Sequence, residues 1–401
     1  MQGGRSLGLR AYNERLVLSL LLRAGALSKA AIARETGLSG QAAAVIVNRL
    51  LDDGLLLKRD KVRGQVGQPS TPVAPNPEGA YALGVKIGRS SVEAVLVNLV
   101  GDVVADRTRA HDAPLPAPTM ACAADLARAL LEGADPPARE RIVGLGIAMP
   151  DGLEGWAAEL GLPADALAGW AGADVEAALS AATGLEATRC NDAAAACAAE
   201  MIAGRAIASP SALYVYLGTF VGGGVVLDGR LHLGRQRNAG ALASMLVAAD
   251  PRRQLLHEAS LGDLARRLAA DGIDVRAAFA GEVAEADAPF EDWLATAAPA
   301  LARAVAAALA VIDFETVVVD GLFCPAWRAR VVERIEAETA RLNRAGLAPA
   351  AIVPGSLGAT ARVLGAAFLP LGERFSPDAE LLLRSQPPAD AEPASTLRRS
   401  A

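Results

Sequence analysis

Residues 213–234, LYVYLGTFVGGGVVLDGRLHLG, constrain the fold more than any other stretch of the chain. The alternating run LYVYL reads as a strand with one buried face. It leads into Gly218-Thr219-Phe220-Val221-Gly222-Gly223-Gly224, where three successive glycines leave backbone N–H groups open to an anion. Glycine permits this because it has no Cβ and tolerates positive φ. Two further apolar runs joined by Asp228-Gly229 give a strong hairpin signal. Two readings stay open here: a phosphate-wrapping loop between strands, or a tight β-meander whose glycines only turn the chain.

The rest of the chain narrows the choice. At 401 residues it is long enough for two or three domains. Apolar residues make up 52% and aromatics only 4%, so its cores must be built from Ala, Leu and Val. The charge is uneven. Residues 1–70 hold eleven Lys and Arg against five Asp and Glu, a net +6, which leaves −12 on the remainder of a chain whose total is −6. A basic head on an acidic body points to a polyanion as the partner of the head. The four cysteines (Cys122, Cys190, Cys197, Cys324) and three histidines (His111, His232, His257) have no metal-ligand spacing, so reduced thiols and no metal are expected. The apolar stretch 16–22 is too short to span a bilayer and is flanked by Arg15 and Arg23, so the expectation is a cytoplasmic protein without a membrane partner.

Within the head, helical periodicity begins at Asn13 and closes at Gly25. Ser28 is placed to cap a second helix over Lys29–Thr36, and Ser39 a third that carries Ala43, Ile46, Val47 and Leu50 inward. Two short helices around Gly37 have the spacing of a helix-turn-helix, whose second helix enters the major groove. LLLKRD and residues 61–68 are expected to form two wing strands. The expected DNA contacts are Lys29, Ser39, Gln41, Asn48 and Arg49, with Arg63, Gln65 and Gln68 from the wing. Direct base readout is sparse, because much of the outward face of the third helix is Gly40, Ala42, Ala44 and Val45.

Prolines 69, 72, 75 and 77 mark a stiff linker. Beyond it, three strands are expected from residue 83 to about 109, then a helix over 117–131 and a strand over 141–149. Helical material follows over 162–182, and a short strand delivers Asn191-Asp192 to a helix start. Helices over 255–270 and 293–312 precede the strand TVVVD, a further helix and strand, and a last helix to Leu369. Strand triplets alternating with helices imply an α/β body in two similar halves. The expected organisation is a winged helix-turn-helix over 1–72, a linker over 73–80, a first lobe over 81–190 completed by 358–372, a second lobe over 191–357, and a loose tail over 373–401.

In order and spacing, the motifs NERLVLSLL, LSKAAIARETGLSGQAAAVIVNRLLDDGLL, GLGIAMPDGL, RCNDAAAACAAE, the opening stretch, VVVDG and PGSLGATARVLGAAFLPL resemble the ROK family of repressors and sugar kinases. The chain is most similar to its members with an N-terminal winged helix, such as the xylose and N-acetylglucosamine repressors. The resemblance implies a two-lobed actin/hexokinase/Hsp70-like body, a duplicated ribonuclease H-like fold. The family's kinases carry Asp-x-Gly-Gly-Thr in their first phosphate loop, and here those positions hold Lys86, Gly88, Arg89 and Ser90. Phosphoryl transfer needs the acid beside its magnesium ion. The family's Gly-Glu-x-Gly-His becomes Gly240-Ala241-Leu242-Ala243-Ser244, and its cysteine-rich zinc loop has no counterpart between Cys197 and Cys324. The Asn-Asp pair is intact as Asn191-Asp192, with Asp192 the relic of the kinases' general base.

The resemblance therefore implies a DNA-binding regulator of carbohydrate-related genes, without catalysis or cofactor, that binds an operator as a homodimer or dimer of dimers. A sugar or sugar-phosphate effector is expected at Asn191, Asp192, Gly218, Thr219, Gly222, Gly223 and Gly224. The competing expectations are a hexose kinase with a fused DNA-binding domain and a regulator that answers to a protein partner.

Overall fold

The computed structural model describes residues 2–60, 71–158, 160–207, 209–235, 238–248 and 250–377. The chain divides into two compact units, Met1–Ala80 with Gly372–Ala401, and Tyr81–Leu371.

The first unit is built on α1 (Gln2–Ala24), α2 (Lys29–Thr36) and α3 (Gly40–Asp52). Ser28 and Ser39 cap α2 and α3 as expected, their hydroxyls accepting the N–H groups of Ala31 and Ala42 at 3.2 Å. Gly37 ends α2 in the left-handed region, φ 70°. Val17 and Leu21 of α1, Ile32 of α2 and Val47 of α3 are fully buried together with Ala43. Strand β1 (Leu56–Lys58) pairs antiparallel with β2 (Val73–Pro75). The partner of β1 thus lies in the stretch expected as a linker. Pro75 is accommodated there because both strands of a two-stranded sheet are edges. The second wing strand expected within 61–68, with Arg63, Gln65 and Gln68, lies outside the described residues.

The second unit begins with β3 (Tyr81–Ile87), β4 (Ser91–Asn98) and β5 (Val103–Ala110). Helices α4 (Pro116–Gly133) and α5 (Pro136–Glu140) lead to β6 (Ile142–Met149). Then come α6 (Val175–Thr183), β7 (Ala187–Asn191) and α7 (Asp192–Ile202). The second half runs β8 (Ala212–Leu217), β9 (Val221–Leu227), β10 (Arg230–His232), α8 (Leu255–Ala259), α9 (Leu261–Ala270) and α10 (Val275–Ala280). It closes with α11 (Asp287–Val311), β11 (Thr316–Gly321), α12 (Pro325–Arg341), β12 (Ala351–Pro354) and α13 (Ala361–Phe375).

Each half carries one five-stranded sheet, ordered β5-β4-β3-β6-β7 and β10-β9-β8-β11-β12. In both, the first three strands form an antiparallel meander and the last two join parallel to the first. This repeat of one topology is the duplication expected from the sequence.

The second sheet packs on α11 and α12 through Phe290 and Trp327, stacked at 4.1 Å. The segment Ala284–Val311 is long and apolar enough to cross a membrane, but half of its most apolar window is buried, and Phe290 and Trp293 anchor it in this core. Two expected helices are interrupted. Over 162–182 only α6 is α-helical, preceded by a 3-10 turn (Ala168–Trp170) whose Trp170 Nε1 donates to the Pro114 carbonyl at 2.7 Å. The helix over 255–270 breaks at Ser260, whose hydroxyl accepts the Val221 N–H and whose carbonyl accepts Trp293 Nε1, both at 3.2 Å.

Candidate functional site

A cavity of about 530 Å3 opens where β6 and β7 end and α7 begins. Parallel strands put their carboxyl ends and the following helix N-termini on one edge of a sheet, where ligands bind in folds of this kind. Asn191 ends β7 and caps α7, its Oδ1 accepting the N–H groups of Ala193 (2.9 Å) and Ala194 (3.4 Å). Its Nδ2 donates to Oδ2 of Asp151 at 3.0 Å, and Asp151 pairs with Arg189 at 3.4 Å. Asp192, in the first turn of α7, is held by Nη1 of Arg362 at 3.2 Å. Both side chains are buried. The Arg362 guanidinium also lies 5.1 Å from the Tyr216 ring centre.

The antiparallel pair β3–β4 and its connection supply cations. Lys86, on β3, is buried, and Nζ donates to Glu93 Oε1 at 2.6 Å and to Ser91 Oγ at 2.9 Å, while Ser91 itself donates to Glu93 at 2.8 Å. Gly88 makes room for this side chain, because a Cβ there would sit 2.6 Å from Nζ. Burial, then the nearby Arg362 charge, push the Lys86 ammonium down to about 8, although Glu93 opposes the shift. Burial alone would raise the Glu93 carboxyl, but Lys86 and Arg362 hold it below its ordinary value. Arg89 lines the cavity with its guanidinium 4.1 Å from the Phe220 ring centre, and burial lowers it to about 10. Burial also works against the Arg362 charge, but Tyr216, Asp192 and Glu93 outweigh it, so that group stays cationic.

Of the expected ligand residues, the structure brings Asn191, Asp192, Gly222 and Gly223 to the cavity wall. Gly218, Thr219 and Gly224 are not on it. The three glycines form no loop: they lie inside β9, and a Cβ on Gly222 would meet Ala193 at 2.7 Å, while one on Gly224 would collide with Cys197. Gly222 and Gly224 point to one face of the strand, and Ala193 and Cys197 stand one turn apart on α7. The glycines therefore let helix and strand touch. Gly218 and Thr219 form the β8–β9 turn, whose carbonyls accept the Leu261 and Gly262 N–H groups at the start of α9 (2.9 and 3.1 Å). The hairpin matches its expectation in detail, with Asp228 at φ 52° and Gly229 at φ 69°.

The lining also carries Ala241 and Ser244, where the resemblance looks for the Glu and His of Gly-Glu-x-Gly-His, together with Leu256 and His257. Nδ1 of His257 accepts the Gln254 N–H at 3.0 Å. Among the described residues no group of three His, Cys, Asp or Glu side chains could hold a metal ion. Sequence reasoning missed Asp151, Trp156 and Arg362 as site residues. The signals were there: Asp151 follows the carboxyl end of a buried strand, and Arg362 stands at the head of an apolar run that lasts to Leu371.

In the first unit, Gln41, Val45 and Asn48 form one exposed stripe of α3, with Val45 61% exposed. Lys29 Nζ donates to Asn48 Oδ1 at 2.6 Å, joining two expected contacts. Arg49 turns toward Glu14 of α1 (3.2 Å) and Asp53 (3.8 Å). Ser39 uses its hydroxyl as the cap of α3.

Two sheets of one duplicated topology, with the Asn-Asp pair at the N-terminus of α7, define a sugar-kinase-like body, here on a chain with a helix-turn-helix unit. The chain belongs to the ROK family, which matches residues 82–373, and residues 11–64 match the MarR family. It is 28% identical to the uncharacterised protein y4fQ of Sinorhizobium fredii over 91% of this chain and 92% of that one. It is 21% identical to the xylose repressor of Bacillus subtilis over 60% of this chain and 61% of the repressor's length. In fold it is similar to a ROK family transcriptional regulator homologous to the E. coli MLC protein, with TM-score 0.64, 19% identity and coverage of 94% of this chain and 98% of that one. A ROK glucokinase from Streptomyces griseus, solved with glucose and AMPPNP, matches with TM-score 0.56 and 19% identity over 72% of this chain and 99% of its own. The chain has the architecture of a ROK-family transcriptional repressor, and the regulator reading is favoured over the kinase.

Proposed function

We propose that the body senses a small-molecule effector and performs no phosphoryl transfer, and that the chain represses carbohydrate-related genes by binding an operator as a symmetric dimer. The observation that carries this reading is the buried Lys86–Glu93 pair at 2.6 Å. Where the resemblance wants a carboxylate to hold magnesium beside ATP, an ammonium sits instead, closed against its own acid. Asp192 adds to the reading, because a general base must be free to take a proton and this carboxylate is engaged by Arg362.

The xylose repressor and the glucose-bound glucokinase among the similar proteins support an effector of the sugar class. Bound at Asn191 and Asp192, it favours one arrangement of the two lobes and so shifts the population competent for the operator. A dimer reading a pseudo-palindrome follows from paired helix-turn-helix units. The test is transfer of labelled phosphate from Mg·ATP to a panel of hexoses. The expected result is no transfer above background in wild type. Transfer that disappears in Asp192→Asn overturns the reading.

A further inference from the structure

The cavity holds more positive charge than the chain itself neutralises. Three cations around it have a carboxylate each: Lys86 has Glu93 at 2.6 Å, Arg362 has Asp192 at 3.2 Å, and Arg189 has Asp151 at 3.4 Å. Arg89 has no such acid at ion-pair distance among the described residues. Its guanidinium instead rests 4.1 Å from the Phe220 ring centre and 5.8 Å from that of Trp156, two rings that meet at 4.5 Å. An aromatic wall fixes the plane of a guanidinium but leaves its N–H edge unmatched.

Two buried donors are in that position. Nε of Arg89 and Nε of Arg362 are shielded from solvent and have no hydrogen-bond acceptor. Arg362 is only 5% exposed, and both side chains line the cavity together with Asp192. With Asp192 paired to Arg362 and Asp151 to Arg189, the Arg89 charge is left in excess, and buried polar groups without partners mark a place for a group the chain does not supply. Asn191, Asp151 and Ser244 also line the cavity and can serve hydroxyl groups.

We propose that the effector is an anionic polyol, a small polyhydroxylated molecule whose carboxylate or phosphate monoester docks against Arg89 and Arg362. This inference rests on the sensing reading above and names the chemical class of its ligand. Planar guanidinium edges match either anion bidentately. A neutral sugar of the same size leaves the Arg89 charge unmatched, and is expected to bind at least about 10-fold more weakly.

The experiment is calorimetric titration of the full chain with matched sets: D-glucose, D-glucuronate and D-glucose 6-phosphate; D-xylose and D-xylonate; and N-acetyl-D-glucosamine with its 6-phosphate. Wild type, Arg89→Gln and Arg89→Lys are compared, with thermal melting to establish that each variant is folded. The expected result is binding of an anionic member at least about 10-fold tighter than its neutral counterpart. Arg89→Gln removes that preference, and Arg89→Lys keeps part of it. The carboxylate and phosphate arms tell the two anions apart. Equal or tighter binding of a neutral sugar, or an anion preference untouched in folded Arg89→Gln, overturns the proposal while leaving the sensing reading standing. Binding of no member of any set counts against both.

Discussion

Nη1 of Arg362 lies 3.2 Å from Oδ2 of Asp192, across 170 positions of sequence. The contact depends on the close approach of α7 and α13. Gly365, one turn beyond Arg362, has no room for a Cβ, which would collide with the Ala195 carbonyl of α7. The pair joins the start of one half's last strand-to-helix connection to the helix that ends the body's fold. It also removes this carboxylate from solvent, since Asp192 is only 8% exposed.

Arg362→Met leaves the Asp192 carboxylate buried without its partner, and is expected to destabilise the body by about 3–5 kcal/mol. Asp192→Asn with Arg362→Met should recover much of that loss. All four tryptophans lie between residues 81 and 371, so urea unfolding followed by tryptophan fluorescence reports on this unit. Strictly additive effects of the two substitutions contradict the pairing.

Glu93 gives a pH dependence. Its folded pKa lies below the ordinary 4.5 because Lys86 and Arg362 outweigh the effect of burial. Its contribution is therefore fully present above pH 4.5 and is lost as pH falls through the folded value. The stability difference between wild type and Glu93→Gln should be constant from pH 7 down to about 5 and shrink on further acidification. A difference that grows on acidification excludes the ion pair as its source.

Gly224→Val should destabilise the body by about 1–3 kcal/mol or more, because its side chain must displace Cys197 of α7. Gly155→Ala is the control, since a Cβ there meets nothing within 4 Å. Equal melting temperatures for the two variants contradict the packing role assigned to the glycines of β9.

These glycines show where sequence reading stops. A run of three announces that no side chain fits, but only the fold tells whether a ligand or a helix occupies the space. What depends on neighbours in sequence was legible: the caps Ser28 and Ser39, the Asp228-Gly229 hairpin, and the start of α7 at Asn191-Asp192. What depends on distant chain was not. Val73–Pro75 reads as linker until β1 is set beside it. Ser260 reads as helix interior until Val221 and Trp293 claim its oxygens. Arg362 is a charge at the head of an apolar run until Asp192 stands next to it.

On the DNA side, Gln41 and Val45 share the exposed stripe of α3. Gln41 can hydrogen-bond a base edge and Val45 can meet a thymine methyl group. Gln41→Ala is expected to weaken operator binding by about 1–3 kcal/mol, read by fluorescence anisotropy on the chain's own promoter fragment. Val45→Asp should weaken it further by repelling phosphates. Unchanged affinity in both variants means that α3 is not the recognition helix.

The central claim is that a ligand at Asp192 controls DNA binding without chemistry. Its most direct measurement is operator affinity with and without the compound that binds in the titration series, in the absence of ATP, for wild type and Asp192→Asn. The account predicts a shift of about 5- to 150-fold in wild type, the usual span of coupling between sites, and its loss in the variant. An operator affinity that ignores the bound compound, or that responds only when Mg·ATP is supplied, contradicts it.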